Sequence, residues 1–120
     1  MLSAIFLCLA PVAIDGDTLR CANVEQAKGR VRIARIDAPE RGQPGGAEAK
    51  AALGALIAQG PVRCTPVDAD PRRPGHQAAD PFGRIVARCR AGRTDLGKAM
   101  KRQGHAVVWP RMQRPAAPRR

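Results

Sequence analysis

The stretch AIDGDTLR, Ala13–Arg20, decides how the first half of the chain is read. Two aspartates flank a single glycine, and a threonine follows. Asp-Gly between two β-like runs is hairpin chemistry, because both residues tolerate the backbone of a tight turn. The runs on either side, APVAI (Ala10–Ile14) and TLRCANV (Thr18–Val24), have the composition of strands. The same turn crowds Asp15 and Asp17 at one end of the hairpin, and hard oxygen ligands of that kind also suit Ca²⁺ or Mg²⁺. Alone, the tripeptide is punctuation. What decides its role is the chemistry the rest of the chain brings to that hairpin end.

Working outward, VEQAKGRV carries a second turn at Lys28–Gly29, and VRIARI is a third strand. Strict alternation puts Val31, Ile33 and Arg35 on one face of it, and Arg32, Ala34 and Ile36 on the other. DAPERGQPGG is a loop, punctuated by Pro39, Gly42, Pro44, Gly45 and Gly46. AEAKAALGALIAQG is the clearest helix: Ala49, Ala52, Leu53, Leu56 and Ile57 form one apolar stripe, and Gly60 is its expected stop. PVRCTPV and RIVARCRAG read as strands, separated by the aperiodic polar loop DADPRRPGHQAADPFG. Thr94 is the expected cap of a second helix running through Gln103, with Gly104 after it. HAVVW is a short last strand. The order β-β-β-α-β-β-α, largely antiparallel, predicts an α+β protein, built as a five-stranded barrel with two to three helices packed on it. A meander of the first three strands would bring Asp37 and Glu40, at the end of the third, close to Asp17. Convergent carboxylates repel unless a cation lies between them.

The chain has 120 residues, which suffice for one domain with one core. Phe6, Phe82 and Trp109 are its only aromatic residues, so the core has to be aliphatic. The net charge of +11 is uneven: residues 1–60 carry seven basic and six acidic side chains, residues 61–120 fourteen and four. Such a half points to a polyanion partner, most often nucleic acid; the alternative is a basic but merely soluble surface. No amphipathic basic helix argues for a membrane surface. The four cysteines have no metal-finger spacing, which argues against zinc, and an even count in a short chain favours disulfides. The alternating pattern aims Cys64 and Cys89 inward with Val62, Ile85 and Ala87, so they form a bridge if their strands are neighbours, and two buried thiols otherwise. Cys8–Cys21 is a weaker pairing. The apolar start, MLSAIFLCLAPVA, has the length of a signal-peptide core but lacks a basic front, and it is too short to span a bilayer. Either residues 1–9 are a leader, or the first strand starts at Leu9. The domain is then residues 10–109, followed by a basic, proline-rich tail at 110–120 expected to be disordered.

In this order and spacing, IDGDTL, VRIARIDAPE, the Ala/Leu helix, DPFGRIVA and KRQGHA resemble the staphylococcal nuclease (thermonuclease) family, from about Val12 to Val108. The resemblance implies an OB-type five-stranded barrel, agreeing with the element order. It implies that Asp17 and Asp37 hold a catalytic Ca²⁺ with the backbone carbonyl of Ala38, and that Glu40 is the general base or water-positioning group. It implies that Arg32 and Arg84 grip the scissile phosphate, while Asp15 and Thr18 support the metal ligands. The implied product is a 3′-phosphate end with a free 5′-hydroxyl. The chemistry is coherent: a cation acts as Lewis acid on the phosphoryl oxygen, and two guanidiniums meet the charge that grows in the transition state.

Departures from the family pattern bear on substrate contact. Phe82 stands where a tyrosine is common, and Pro81 where a basic residue often lies. No tyrosine lies near the C-terminus, and no third helix is expected there. Trp109 is close to, but not aligned with, the family's aromatic rings. Arg72, Arg73, Lys101 and Arg102 are candidates to track the phosphate backbone in compensation. His76 and His105 have no ligand-like partner. The expectation is a secreted or periplasmic, monomeric, Ca²⁺-dependent endonuclease acting on DNA or RNA, preferably single-stranded. The alternative is a non-catalytic module of the same fold that binds nucleic acid or protein.

Overall fold

The computed structural model describes residues 4–110. Within them the order is β1 (Phe6–Cys8), β2 (Val12–Asp15), β3 (Thr18–Arg20), a 3-10 turn (Gln26–Gly29), β4 (Arg30–Ile33) and β5 (Ile36–Asp37). Then come α1 (Gly46–Ile57), β6 (Val62–Pro66), β7 (Ile85–Ala91), β8 (Thr94–Asp95), α2 (Leu96–Arg102) and β9 (Val107–Val108). The main sheet runs β1-β6-β7-β4-β3-β2, with β8 also on β7, and β5 pairs separately with β9. The meander of β2, β3 and β4 is antiparallel as expected, whereas β4 and β7 are parallel, with Arg32 opposite Val86. The protein is α+β, but its sheet is open rather than a closed barrel. A single backbone departure accounts for part of this. Arg35 adopts a left-handed conformation (φ 69°), which ends β4 at Ile33 and sends Ile36–Asp37 to β9 instead. The kink also overturns the expected alternation, since it rotates Ile36 into the same core as Val31 and Ile33.

Other expected ends shift for identifiable reasons. β3 stops at Arg20 because Cys21 turns aside to bond Cys8. Asn23 then takes the place of a strand residue, donating to the Leu7 carbonyl and accepting from the Leu9 amide. The apolar start therefore contains β1, hydrogen-bonded to β6 with Phe6 opposite Cys64. Helix α1 ends at Ile57, short of Gly60, whose role is close approach instead: an added Cβ would lie 3.2 Å from the Gly92 amide nitrogen. The cap of α2 is Asp95 rather than Thr94; its Oδ1 accepts the Lys98 amide, while Thr94 pairs with Ala91 in β8. Residues 111–120 of the expected tail lie outside the described residues.

The core is aliphatic. Leu19, Val31, Ile33 and Ile36 from the sheet meet Leu53, Leu56, Leu96 and Met100 from the helices. Each such side chain contributes about 1.5–3 kcal/mol on burial. Cys64 and Cys89 face each other directly across β6 and β7 and are bonded. Among the described residues no helix is long and apolar enough to cross a membrane.

The β2–β3 turn is pressed onto α1 at its glycine. A Cβ on Gly16 would lie 2.6 Å from that of Ala49 and 2.9 Å from that of Ala38. The residue is glycine because there is no room, and its φ is not in the left-handed region. Gly16→Ala is therefore expected to cost about 1–3 kcal/mol, the range for overpacking. The measurement is the urea midpoint at constant slope. An unchanged midpoint would show that the turn can back away from the helix freely.

Candidate active site

The hairpin turn, the end of β5 and the residue just before β7 converge. Asp17 is the buried carboxylate at the centre. Its Oδ2 accepts the Ala38 amide at 2.9 Å, and its Oδ1 accepts the Thr18 hydroxyl at 3.0 Å. The Thr18 oxygen in turn accepts from Arg84 Nη1 at 3.4 Å. Register explains the meeting: Thr18 is opposite Arg32 on one side of β4, and Val86, two residues after Arg84, is opposite Arg32 on the other.

Arg32 joins the two aspartates. Its Nη2 lies 3.6 Å from Asp17 Oδ2 and 3.5 Å from Asp37 Oδ1, while Nη1 donates to the Ile33 carbonyl. Asp37 is exposed and has no other ion pair among the described residues. Asp15 is separate from this cluster. Its Oδ1 is buried without a hydrogen bond and is 3.7 Å from Arg41 Nε. Ala38 reaches Asp17 through its amide, and the two methyl-sized residues Ala38 and Ala49 set the space around the turn. Glu40 is exposed. It lines a surface hollow of about 480 Å³ together with Arg30, Phe82 and Arg84, so it shares a depression with one arginine of the pair.

Arg84 is held from behind. Its Nε donates to Asp80 Oδ2 at 2.7 Å, and the other oxygen of Asp80 accepts the Phe82 and Arg84 amides. Asp80 thus sets both the turn and the guanidinium, a role absent from the expected site residues. The signal was present in DPFGR: an aspartate opening a proline-glycine turn, four residues before an arginine. Phe82 projects into solvent with the Arg84 guanidinium 5.3 Å from its ring centroid.

Trp109 was likewise missed as a site residue. The β5–β9 ladder continues into a bond from the Trp109 amide to the Arg35 carbonyl, and this sets the indole beside β4. Arg32 and Arg72 lie over its ring at 5.8 and 5.1 Å, both within cation–π range. A lone tryptophan in an aromatic-poor chain was the available clue. Among the other expected contacts, Arg72 lines the hollow beside Arg32 and Arg84, and Lys101 lines an adjoining one. Arg73 and Arg102 line neither. His105 lines a further hollow with Asp37, and His76 is exposed.

A family model described as staphylococcal nuclease homologue matches residues 30–119. The chain belongs to the staphylococcal nuclease family. A search of the curated proteins finds no match. The match begins beyond the β2–β3 hairpin, so the hairpin's part in the site rests on geometry, on the bonds from Asp17 to Ala38 and from Thr18 to Arg84. As a member of this family the domain is a nuclease-type or nucleic-acid-binding module, and its family uses Ca²⁺. The donors here suit such an ion in kind: Asp17 and Asp37 are hard oxygen ligands gathered on one cation, Arg32. Among the described residues no three His, Cys, Asp or Glu side chains gather as a metal site. Two carboxylates are therefore what the side chains bring together here.

The loop that carries Arg72 is ordered by acids. Asp68 accepts the Gln77 and Asp70 amides, and the first of these bonds chiefly holds its carboxyl below the ordinary 3.8. Asp70 is held below 3.8 mainly by its bidentate bond to Arg72, which raises the guanidinium's own pKa. A carboxyl depressed on folding contributes stability above its unfolded value and loses it as pH falls through the folded one. Acidification below 3.8 should thus release Arg72 from Asp70 and change the emission of Trp109, the only tryptophan. Asp70→Asn should show the altered emission already at neutral pH and a smaller acid change. Identical titrations in the two proteins would refute the link.

Proposed function

We propose that this protein is a Ca²⁺-dependent phosphodiesterase that cuts DNA or RNA with little sequence preference and leaves 3′-phosphate ends. The observation that carries this reading is the meeting of Arg32, on β4, and Arg84, just before the parallel neighbour β7, at the Asp17–Thr18 turn, with Glu40 in the hollow that Arg84 lines. Charge-assisted bidentate bonds from the two guanidiniums to the phosphate would take over from their present contacts with Asp17, Asp37 and Asp80. Bound by Asp17, Asp37 and the Ala38 carbonyl, Ca²⁺ would supply Lewis-acid polarisation of a phosphoryl oxygen. Glu40 takes a proton from the attacking water as the new P–O bond forms. The bond to the 5′-oxygen breaks, and that oxygen leaves as a hydroxyl after taking a proton from solvent. Arg32 and Arg84 offset the additional charge on the equatorial oxygens.

Exposed Phe82 and half-buried Trp109 support a single-stranded substrate, whose bases are free to stack. Both disulfides support export to an oxidising compartment as a secreted or periplasmic protein, and we take it to act as a monomer. The second reading, a module that binds without cutting, draws on one observation: both guanidiniums are already paired with carboxylates.

Heat-denatured DNA incubated with Ca²⁺ and with chelator separates the two. Cutting should need Ca²⁺, and Glu40→Ala and Arg84→Ala should each lower kcat by about 10²–10⁴-fold. Salt-sensitive binding with no product in any sample would instead establish the binding module.

A further inference from the structure

Two hollows meet at Arg35, the kink that follows β4. The first, about 260 Å³, is lined by Arg32, Arg84, Arg72 and Trp109 among others. The second, about 250 Å³, is lined by Arg88 of β7 and by Lys98 and Lys101 of α2. Ile33 and Arg35 line both, so the hollows adjoin and together make a path leading away from the Arg32–Arg84 pair. Seven cationic side chains face this path against three carboxylates. All three carboxylates are engaged. Asp70 binds Arg72, Asp80 binds Arg84, and Asp95 caps α2. Arg88, Lys98 and Lys101 have no ion pair among the described residues, which leaves the far end of the path with an excess of positive charge over its one carboxylate, Asp95.

Arg35 is the joint between the two hollows, and its backbone is costly. A left-handed φ of 69° on a β-carbon-bearing residue opposes the ordinary backbone preference. Glycine or asparagine would relieve that cost, yet an arginine stands here. Its Nη1 donates to the Asp68 carbonyl, which holds the guanidinium between the hollows.

We propose that the second hollow is a phosphate subsite: it binds backbone phosphates of a single-stranded polynucleotide that continues past the bond held at Arg32 and Arg84. The proposal rests on the nuclease reading for its occupant, but it assigns binding to residues that take no part in the cutting step. The path predicts a substrate-length dependence that the Arg32–Arg84 pair alone would not produce. A short oligomer fills only the first hollow, and a longer one also reaches Arg88 and Lys98.

The test is fluorescence anisotropy of labelled oligothymidylates in chelator, where binding is read without cleavage. Arg88→Gln/Lys98→Gln is compared with Arg63→Gln/Arg93→Gln, which removes equal charge from exposed positions lining neither hollow. For a 12-mer, Arg88→Gln/Lys98→Gln should weaken binding about tenfold and lower the log–log salt slope by about 1.4, some 0.7 per phosphate contact. A 3-mer should bind the wild type and both double variants alike, and the control variant should leave the 12-mer unaffected. Equal weakening of the 12-mer by both double variants, no weakening by either, or equal loss for both lengths would overturn the subsite. Failure of the nuclease reading appears elsewhere, as absence of cutting by the wild-type protein in Ca²⁺, and leaves these binding results standing.

Discussion

The bond from the Ala38 amide to the Asp17 carboxylate holds together parts of the chain that are 21 residues apart. It ties the tip of the first hairpin to the beginning of the Pro-rich loop. On one side of it Thr18 reaches Arg84, and on the other Arg32 spans to Asp37. The bond can form only because Gly16 lets the turn settle against Ala38 and Ala49. A larger residue there would lift Asp17 away from the amide and leave a buried carboxylate short of a partner, a costly state in a low-dielectric interior. Packing at the turn and electrostatics at the site are therefore one constraint.

From that point outward the site is layered. Asp17 and Thr18 sit buried in the middle, the two arginines flank them, and Glu40, Asp37 and Phe82 lie at the exposed rim. The buried layer is rigid because each polar atom of Asp17 and Thr18 has a partner. The rim is open to a substrate. Asp80 extends the same logic to the far side, where it fixes the guanidinium of Arg84 at the root of the β7 strand.

Much of this was legible in the sequence where local chemistry and period agreed. The hairpin at Asp15–Thr18, the helix stripe from Ala49 to Ile57 and the inward phase of Cys64 and Cys89 all follow from spacing. What escaped was set by tertiary structure. Alternation along VRIARI pointed Ile36 to the wrong face, because nothing in the residue types announces a left-handed arginine. Thr94 and Asp95 are both good helix caps, and only the pairing of Thr94 with Ala91 chooses between them. The OB-like sheet stays open in part for the same reason that the alternation failed: a kink at Arg35 reassigns Ile36 and Asp37 to β9. Trp109 reaches the site through that very ladder, and so its place was hidden as well. Asp80 differs, since its turn and its spacing to Arg84 were open to reading and only its importance was not.

The parallel pairing of β4 with β7 has a consequence for when the site exists. Arg32 and Val86 are neighbours in space but 54 residues apart along the chain, and Thr18 and Arg84 are 66 apart. Contacts of such separation are closed late, after the local hairpin and helix. A chain still being synthesised that has not yet produced β7 carries Asp17, Arg32, Asp37 and Glu40 but cannot oppose the two guanidiniums. The two guanidiniums are therefore brought together only after β7 has been made.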